Sequence, residues 1–454
     1  MVAPADPDDY RSRSLWLEGL PSELTPRPAL AGDGDCDVAI VGAGFTGLWS
    51  AYYLKRLQPD LRVTVLEREI AGFGPSGRNG GFVLGGLVGP AGVFGLHGAE
   101  LARAVAVTNV AVDEIGEVAR REGIDCGYLK AGALSVATSE PQWKRLQSAP
   151  GEGTLLSAAE TEAMVAVPGL YGGRFTALAA RIDPARLVRG LADACERLGV
   201  TIHEHTAAPA IEPSRVRCAA GTLRAETVVR ATESYTTQLP GQRMRYLPLY
   251  SLMIATEPLS DATWQALRWP DGLLVDDVHY LFFYAQRTTD GRIAIGGRGA
   301  PYRLLSPIDV RNERNERVRA RLIRSLQRAF PAAAQAQITH HWGGPLAAPR
   351  DWSMSVGYDR ARGIVTAGGY TGHGLAAANL SGRTVADLIL GRDSDLVTMP
   401  WVGHRSRRWE PEPLRYLASK AIISTLGSAD RREDATGRSA RRVIAIRPFL
   451  PPRH

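Results

Sequence analysis

The chain has 454 residues, 44% of them apolar, and a formal net charge of +7, enough for two domains or one large elaborated one. Only Lys55, Lys130, Lys144 and Lys420 are lysines, and the arginines are scattered rather than gathered on one stripe, which argues against nucleic-acid binding. Cys36, Cys126, Cys195 and Cys218 have no C-x-x-C spacing, so a reduced protein without a structural metal is expected.

Residues 1–36 are Pro-rich and read as an irregular arm. Their start, "MVAPADPDDYRSRS", has acids and no apolar h-region, so no signal peptide is expected. No run approaches the ~18 uncharged apolar residues that span a bilayer, and a cytoplasmic location follows as an expectation. From residue 37 the pattern changes to strand, glycine turn, helix and strand. Residues 98–123 carry helical periodicity, 133–139 read as a strand, and 183–199 read as a helix ending at Gly199. Short strands follow in "VTIHEH", "SRVRCA" and "TVVRAT". The runs 250–259 and 291–299 suggest a second, antiparallel sheet. Residues 401–454 form a basic tail with an amphipathic helix expected over 413–426.

The segment "DVAIVGAGFTGLWSAYYLKRLQPDLRVTVLERE" runs from Asp37 to Glu69. Val38–Val41 is apolar on both faces, as a buried parallel strand requires. Gly42, Ala43, Gly44, Phe45, Thr46 and Gly47 then supply G-x-G-x-x-G. The first glycine permits the tight turn, the second lets a phosphate approach the backbone, and the third lets the helix pack on the strand. A pyrophosphate would sit at the helix N-terminus, where free N–H groups and the dipole favour an anion. The second strand, Leu61–Leu66, ends in Glu67, twenty residues after Gly47, placed to accept both hydroxyl protons of an adenosine ribose. Arg68 follows it. This fingerprint does not separate FAD from NAD.

Immediately downstream lies "GFGPSGRNGGFVLGG". Gly74, Ser76, Gly77, Arg78, Asn79, Gly80 and Gly81 combine hydroxyl, guanidinium and amide groups with glycines whose N–H groups can face a long cofactor. Together the two motifs resemble the FAD-dependent amino-acid and amine oxidase superfamily of D-amino acid oxidase and sarcosine oxidase, in the form of its gamma-glutamylputrescine oxidase-like members. The resemblance continues through 181–211 and 225–236. It implies that Ala208 reaches the adenine through its backbone and that Ala231 and Thr232 border the flavin.

The resemblance also gives a role to "TAGGYTGHGLAAANLSGR", residues 366–383. Gly369, Tyr370, Thr371, Gly372, His373, Gly374 and Leu375 would return to the first sheet and meet the same FAD. A helix starting near Gly374 aims its N-terminus at the flavin edge that becomes negative on reduction. A second nucleotide site would need its own strand–helix–strand unit with a terminal acid, and only "GRDSDLV" follows.

Flavin-dependent amine oxidation needs positioning more than acid–base machinery. His373, Tyr370, Arg298, Tyr280 and Tyr284 are the candidate substrate-side residues, with Trp342 beside them; Tyr280, Tyr284 and Trp342 read equally well as core. His340 and His341 are sequential on a strand and face opposite ways, so no metal site is expected there. Family members with covalent flavin use a histidine where Arg78 stands, or a cysteine in the C-terminal half, and no cysteine follows Cys218. Noncovalent FAD is therefore implied. Relatives that clamp a substrate carboxylate carry an arginine where Leu346 falls. The oxygen-activating lysine of sarcosine oxidase has no counterpart between Lys144 and Lys420.

The expected architecture is an α/β FAD-binding Rossmann-type domain plus an α+β substrate domain with an antiparallel sheet. Residues 37–130, 181–240 and 355–400 would form the first, and 131–180 and 241–354 the second. The expected activity is oxidation of a C–N bond of a small amine or N-substituted amino compound to an imine. Oxygen, or alternatively a quinone or carrier, would take the electrons. A flavin-binding RNA-modifying or structural protein is the competitor from another class.

Overall fold

A computed structural model describes residues 10–149, 151–300, 302–305 and 307–450; the first nine residues of the arm and the last four of the tail lie outside them. In chain order the principal elements are β1 (Gly34–Val41), α1 (Phe45–Leu57), β2 (Val63–Leu66), α2 (Gly98–Glu122), β3 (Ala133–Ala137), β4 (Thr154–Ser157), β5 (Gly172–Thr176), α3 (Pro184–Arg197), β6 (Thr201–His203) and β7 (Thr222–Arg230). They continue as β8 (Leu247–Thr256), β9 (Leu274–Asp277), β10 (Phe283–Arg287), β11 (Ile293–Gly297), α4 (Glu316–Ala329), β12 (Ile338–Ala348), β13 (Ser355–Asp359), β14 (Ile364–Gly368), α5 (Gly374–Leu390) and α6 (Leu414–Thr436).

The first sheet runs β13-β14-β7-β1-β2-β6, with a small hairpin added beside β7. β1 is parallel to both β2 and β7, and β14 is parallel to β7. Such a sheet needs cover on both faces. α1, α3 and α5 supply apolar side chains for one of them, with Leu48, Trp49, Leu187, Leu191 and Leu380 fully or almost fully buried. The second sheet runs β12-β8-β11-β10-β9-β3-β5-β4. Its pairs are antiparallel except for β3 with β9. One face carries Leu252, Ile254, Val275, Ile293 and Ile295 against Val318, Leu322 and Leu326 of α4. Across the strands, Ser135, Asp276, Tyr284, Gly296, Met253 and Trp342 stand in register as one row.

The N-terminal arm packs against the body: Tyr10, Leu15, Trp16 and Leu17 are buried with Phe73 and Trp342, and Trp16 donates through Nε1 to the Asn79 carbonyl at 2.8 Å. The tail helix runs ten residues past its expected end, to Thr436. The acids of its second half have partners. Asp430 accepts the N–H groups of Tyr280 and Leu281 at 2.8 and 2.9 Å, and the buried Glu433 pairs with Arg145 at 2.6 Å. Asp434 bonds His279 Nε2 at 2.8 Å and pairs with Arg328.

His279 fastens α6 to the second sheet. Burial opposes its charge, but the flanking Asp277 and Asp434 outweigh burial and hold the imidazolium pKa up at about 10. A raised pKa means that the protonated state stabilises the fold. That contribution is full below the ordinary histidine value of ~6.5 and is lost as pH rises towards about 10. Trypsin cleavage at the tail arginines is therefore expected to accelerate between roughly pH 7 and 9 in the parent. His279→Gln should already be cleaved quickly at the lower pH, without that dependence; an unchanged parental rate across the range would contradict the assignment.

Candidate active site

One cavity of about 2670 Å³ connects the two sheets. It is lined by Gly42, Gly44, Phe45 and Thr46, by Glu67, Arg68 and Ala208, and by Tyr284, Arg298 and the turn around His373.

The first glycine turn is fixed by backbone contacts that exclude side chains. Gly42 has φ +106°, where a Cβ would lie 2.6 Å from the Ala231 carbonyl oxygen, and a Cβ on Gly47 would lie 1.9 Å from the Gly42 carbonyl oxygen. Glu67 is half-buried at this turn and lines the cavity. It accepts the Ala43 N–H at 2.8 Å and the Glu69 N–H at 3.0 Å, while burial pushes its carboxyl pKa up. Each oxygen keeps a lone-pair direction for a further donor.

The loop at 72–81 closes over the start of α1. Ser76 Oγ accepts the Phe45 N–H at 3.0 Å. The Asn79 amide is used within the loop: it donates to the Pro75 and Ser76 carbonyls and accepts from Gly81 N–H at 2.8 Å. Asn79 thus shapes the loop, although its backbone also borders the cavity. Arg78 is fully buried, paired with Glu313 at 2.7 Å; it donates to the Gly343 carbonyl at 3.2 Å and lies 5.0 Å over the Phe73 ring. Its charge is therefore already matched by protein.

The second glycine turn meets the first. Tyr370 Oη and Thr46 Oγ1 are 2.9 Å apart and buried, joining residues 324 positions apart in sequence. Gly372 has φ +108°, and α5 starts at Gly374 with no side-chain hydrogen bond capping it. Glu233, which follows Ala231 and Thr232, accepts the Gly369 and Tyr370 N–H groups at 2.9 and 3.4 Å. Burial raises its carboxyl pKa to about 7. Sequence reading missed it, although an acid directly after the "AT" of a strand end was a visible signal. Tyr235, also missed, lines the cavity under the Arg68 guanidinium, 5.0 Å from its ring.

Of the substrate-side candidates, His373, Tyr370, Tyr284 and Arg298 line the cavity. Tyr284 bonds Ser251 at 2.8 Å, and burial pushes its phenol up to about 12. Arg298 stacks 4.8 Å over the Phe282 ring. Leu346 also lines the cavity, its side chain beside Gly372. Two candidates stand elsewhere. Tyr280 lies under Arg145 beside α6, and Trp342 is core, donating to the Arg78 carbonyl at 2.9 Å. Ala43, Gly47, Gly77, Gly81 and Gly369 lie behind the cavity surface, where they shape it. His340 bonds Glu18 at 2.9 Å, and burial lowers the His341 pKa to about 4. No group of residues among those described could hold a metal ion.

A strand–glycine turn–helix whose second strand ends in an acid, joined to a second glycine turn in one cavity, is the arrangement of a dinucleotide-cofactor oxidoreductase. Residues 37–388 match the DAO family of FAD-dependent oxidoreductases, and the chain belongs to it. It is 32% identical to gamma-glutamylputrescine oxidoreductase of Escherichia coli over 398 residues, 83% of this chain and 89% of that one. It is 30% identical to a probable oxidoreductase, OrdL, of Rhizobium meliloti over 406 residues, 84% and 89% of the two chains. Glycine oxidase from Geobacillus kaustophilus shares the fold, with a TM-score of 0.67 at 21% identity, covering 82% of this chain and all of that one.

Proposed function

We propose that the protein oxidises a C–N bond of an amine or N-substituted amino compound to an imine, with FAD held noncovalently along the cavity. The observation carrying this reading is the Thr46–Tyr370 contact, which makes two distant glycine turns one site. FAD, when bound, supplies the hydride acceptor. In this arrangement residues 37–130, 181–240 and 355–400 form the FAD-binding domain, and 131–180 with 241–354 the substrate domain. Glu67 takes the ribose hydroxyls, the Ala208 backbone borders the adenine, and the start of α5 faces the ring edge that gains negative charge. Glu233 fixes the second turn by its two N–H bonds. Tyr284, His373 and Arg298 shape the space in which the substrate C–H is oriented, and apolar walls exclude water from it.

No lysine lines the cavity among the described residues, which supports a quinone or carrier as electron acceptor over oxygen. Noncovalent attachment is supported by the engagement of Arg78 with Glu313. It is supported too by the position of Cys218, the one lining cysteine, which packs with Ala208 and has a thiol raised to about 11 by burial. Acid or heat should release intact FAD into the supernatant; flavin fluorescence remaining on the denatured band would overturn this.

A further inference from the structure

We propose that the face formed by the start of α6 and the segment around residues 303–310 docks on an anionic bilayer surface, holding the cavity mouth against lipid. Three observations carry this. The first is an apolar rim where burial would be expected. Leu414 and Leu417 are 60% and 56% exposed, and Ala418 and Ala421 continue the same face at i, i+3, i+4 and i+7. Leu304, Leu305 and Val310 are 48%, 53% and 51% exposed. The two segments adjoin: Glu412 accepts the Leu305 N–H at 3.2 Å, and Arg415 lies 5.6 Å over the Tyr302 ring. An apolar patch drawn from two segments of a surface marks an interaction site.

The second observation is charge. Residues 401–420, which lead into and begin α6, hold five arginines and lysines against two acids. Arg303, Arg405, Arg407, Arg408 and Lys420 are exposed. Guanidinium groups beside apolar side chains are the combination that binds lipid interfaces carrying anionic headgroups.

The third is position. Leu414, Ala418, Ala421 and Val310 also line the cavity, so the exposed rim surrounds its mouth. The tail helix lies beyond residues 37–388, which the family model matches, whereas the segment around 303–310 lies within them.

A second copy is the poorer occupant. A two-fold contact would set this basic face against itself. Nucleic acid would engage the arginines and leave the leucines without a role. No helix among the described residues is long and apolar enough to cross a membrane, so the contact is peripheral. Docking uses none of the flavin-binding residues, so its failure leaves the FAD reading intact.

The test is co-sedimentation of the full chain with phosphatidylcholine vesicles, with and without phosphatidylglycerol. Binding is expected to the anionic vesicles, weakening as salt rises, and to be weak on neutral ones. Leu304→Ser and Leu417→Ser, neither of which lines the cavity, should each lower the vesicle affinity several-fold and together about tenfold or more. Melting temperature and flavin content should stay at parental values. Arg407→Ser with Arg408→Ser should lower binding to anionic vesicles only. No binding to anionic vesicles, or binding unaffected by the serine variants, would overturn the proposal. So would a concentration-dependent dimer that the leucine variants dissociate, or tRNA binding in place of vesicle binding.

Discussion

Glu67→Ala is expected to give a folded protein that retains FAD at least tenfold less well than the parent. In the parent the carboxylate closes the glycine turn by accepting the Ala43 and Glu69 N–H groups. Alanine leaves both donors without this partner and also removes the acceptor proposed for the ribose hydroxyls. Bonds to a charged acceptor contribute about 1.5–3 kcal/mol each, and ~1.4 kcal/mol is tenfold in affinity. Global stability should change less, because burial already disfavours the carboxylate that is removed. Glu67→Gln keeps one acceptor oxygen and should fall between the two. The ratio of flavin to protein after dialysis measures the first effect, and a melting curve the second. Full occupancy in the alanine variant would remove Glu67 from the cofactor site.

Substrates lacking a free α-carboxylate are expected to be turned over better than glycine or simple D-amino acids. A carboxylate entering this cavity loses its hydration and must be paired, or the complex is weakened by several kcal/mol. Leu346 lines the cavity beside Gly372 and offers no donor. Arg298 is one of the cations lining the same cavity, stacked on Phe282, so the expected result is a preference and not an exclusion. Steady-state kcat/KM for an amine against the matching α-amino acid decides it. A tenfold advantage for the acid, about 1.4 kcal/mol of transition-state binding, would defeat the Leu346 argument. Arg298→Leu would then be expected to abolish that advantage.

The proposed cofactor site was legible because its pattern is local. β1, the turn, α1, β2 and Glu67 occupy 34–67 without interruption, and glycines at fixed offsets mark backbone approaches that only hydrogen permits. The second glycine turn was readable as a turn; its union with the first depends on Tyr370 meeting Thr46, a contact no spacing announces. Glu313 is the counter-ion of Arg78 across 235 positions, and nothing in its own segment distinguishes it from a solvated acid. The same holds for Glu433 in α6, which reads as a surface charge until Arg145 is placed beside it. Tyr280 and Trp342 carry the opposite lesson. Their aromatic character fitted a pocket as well as a core, and only tertiary placement assigned them.

The most direct test is anaerobic mixing of the purified yellow protein with a panel of primary amines, secondary amines and amino acids. The flavin absorbance should bleach fully with at least one amine, in a single phase stoichiometric with imine or its carbonyl hydrolysis product. It should recover faster on addition of a quinone than on addition of oxygen. A protein that carries FAD but remains oxidised with every amine and amino acid, while dithionite still bleaches it, would contradict C–N oxidation as the function.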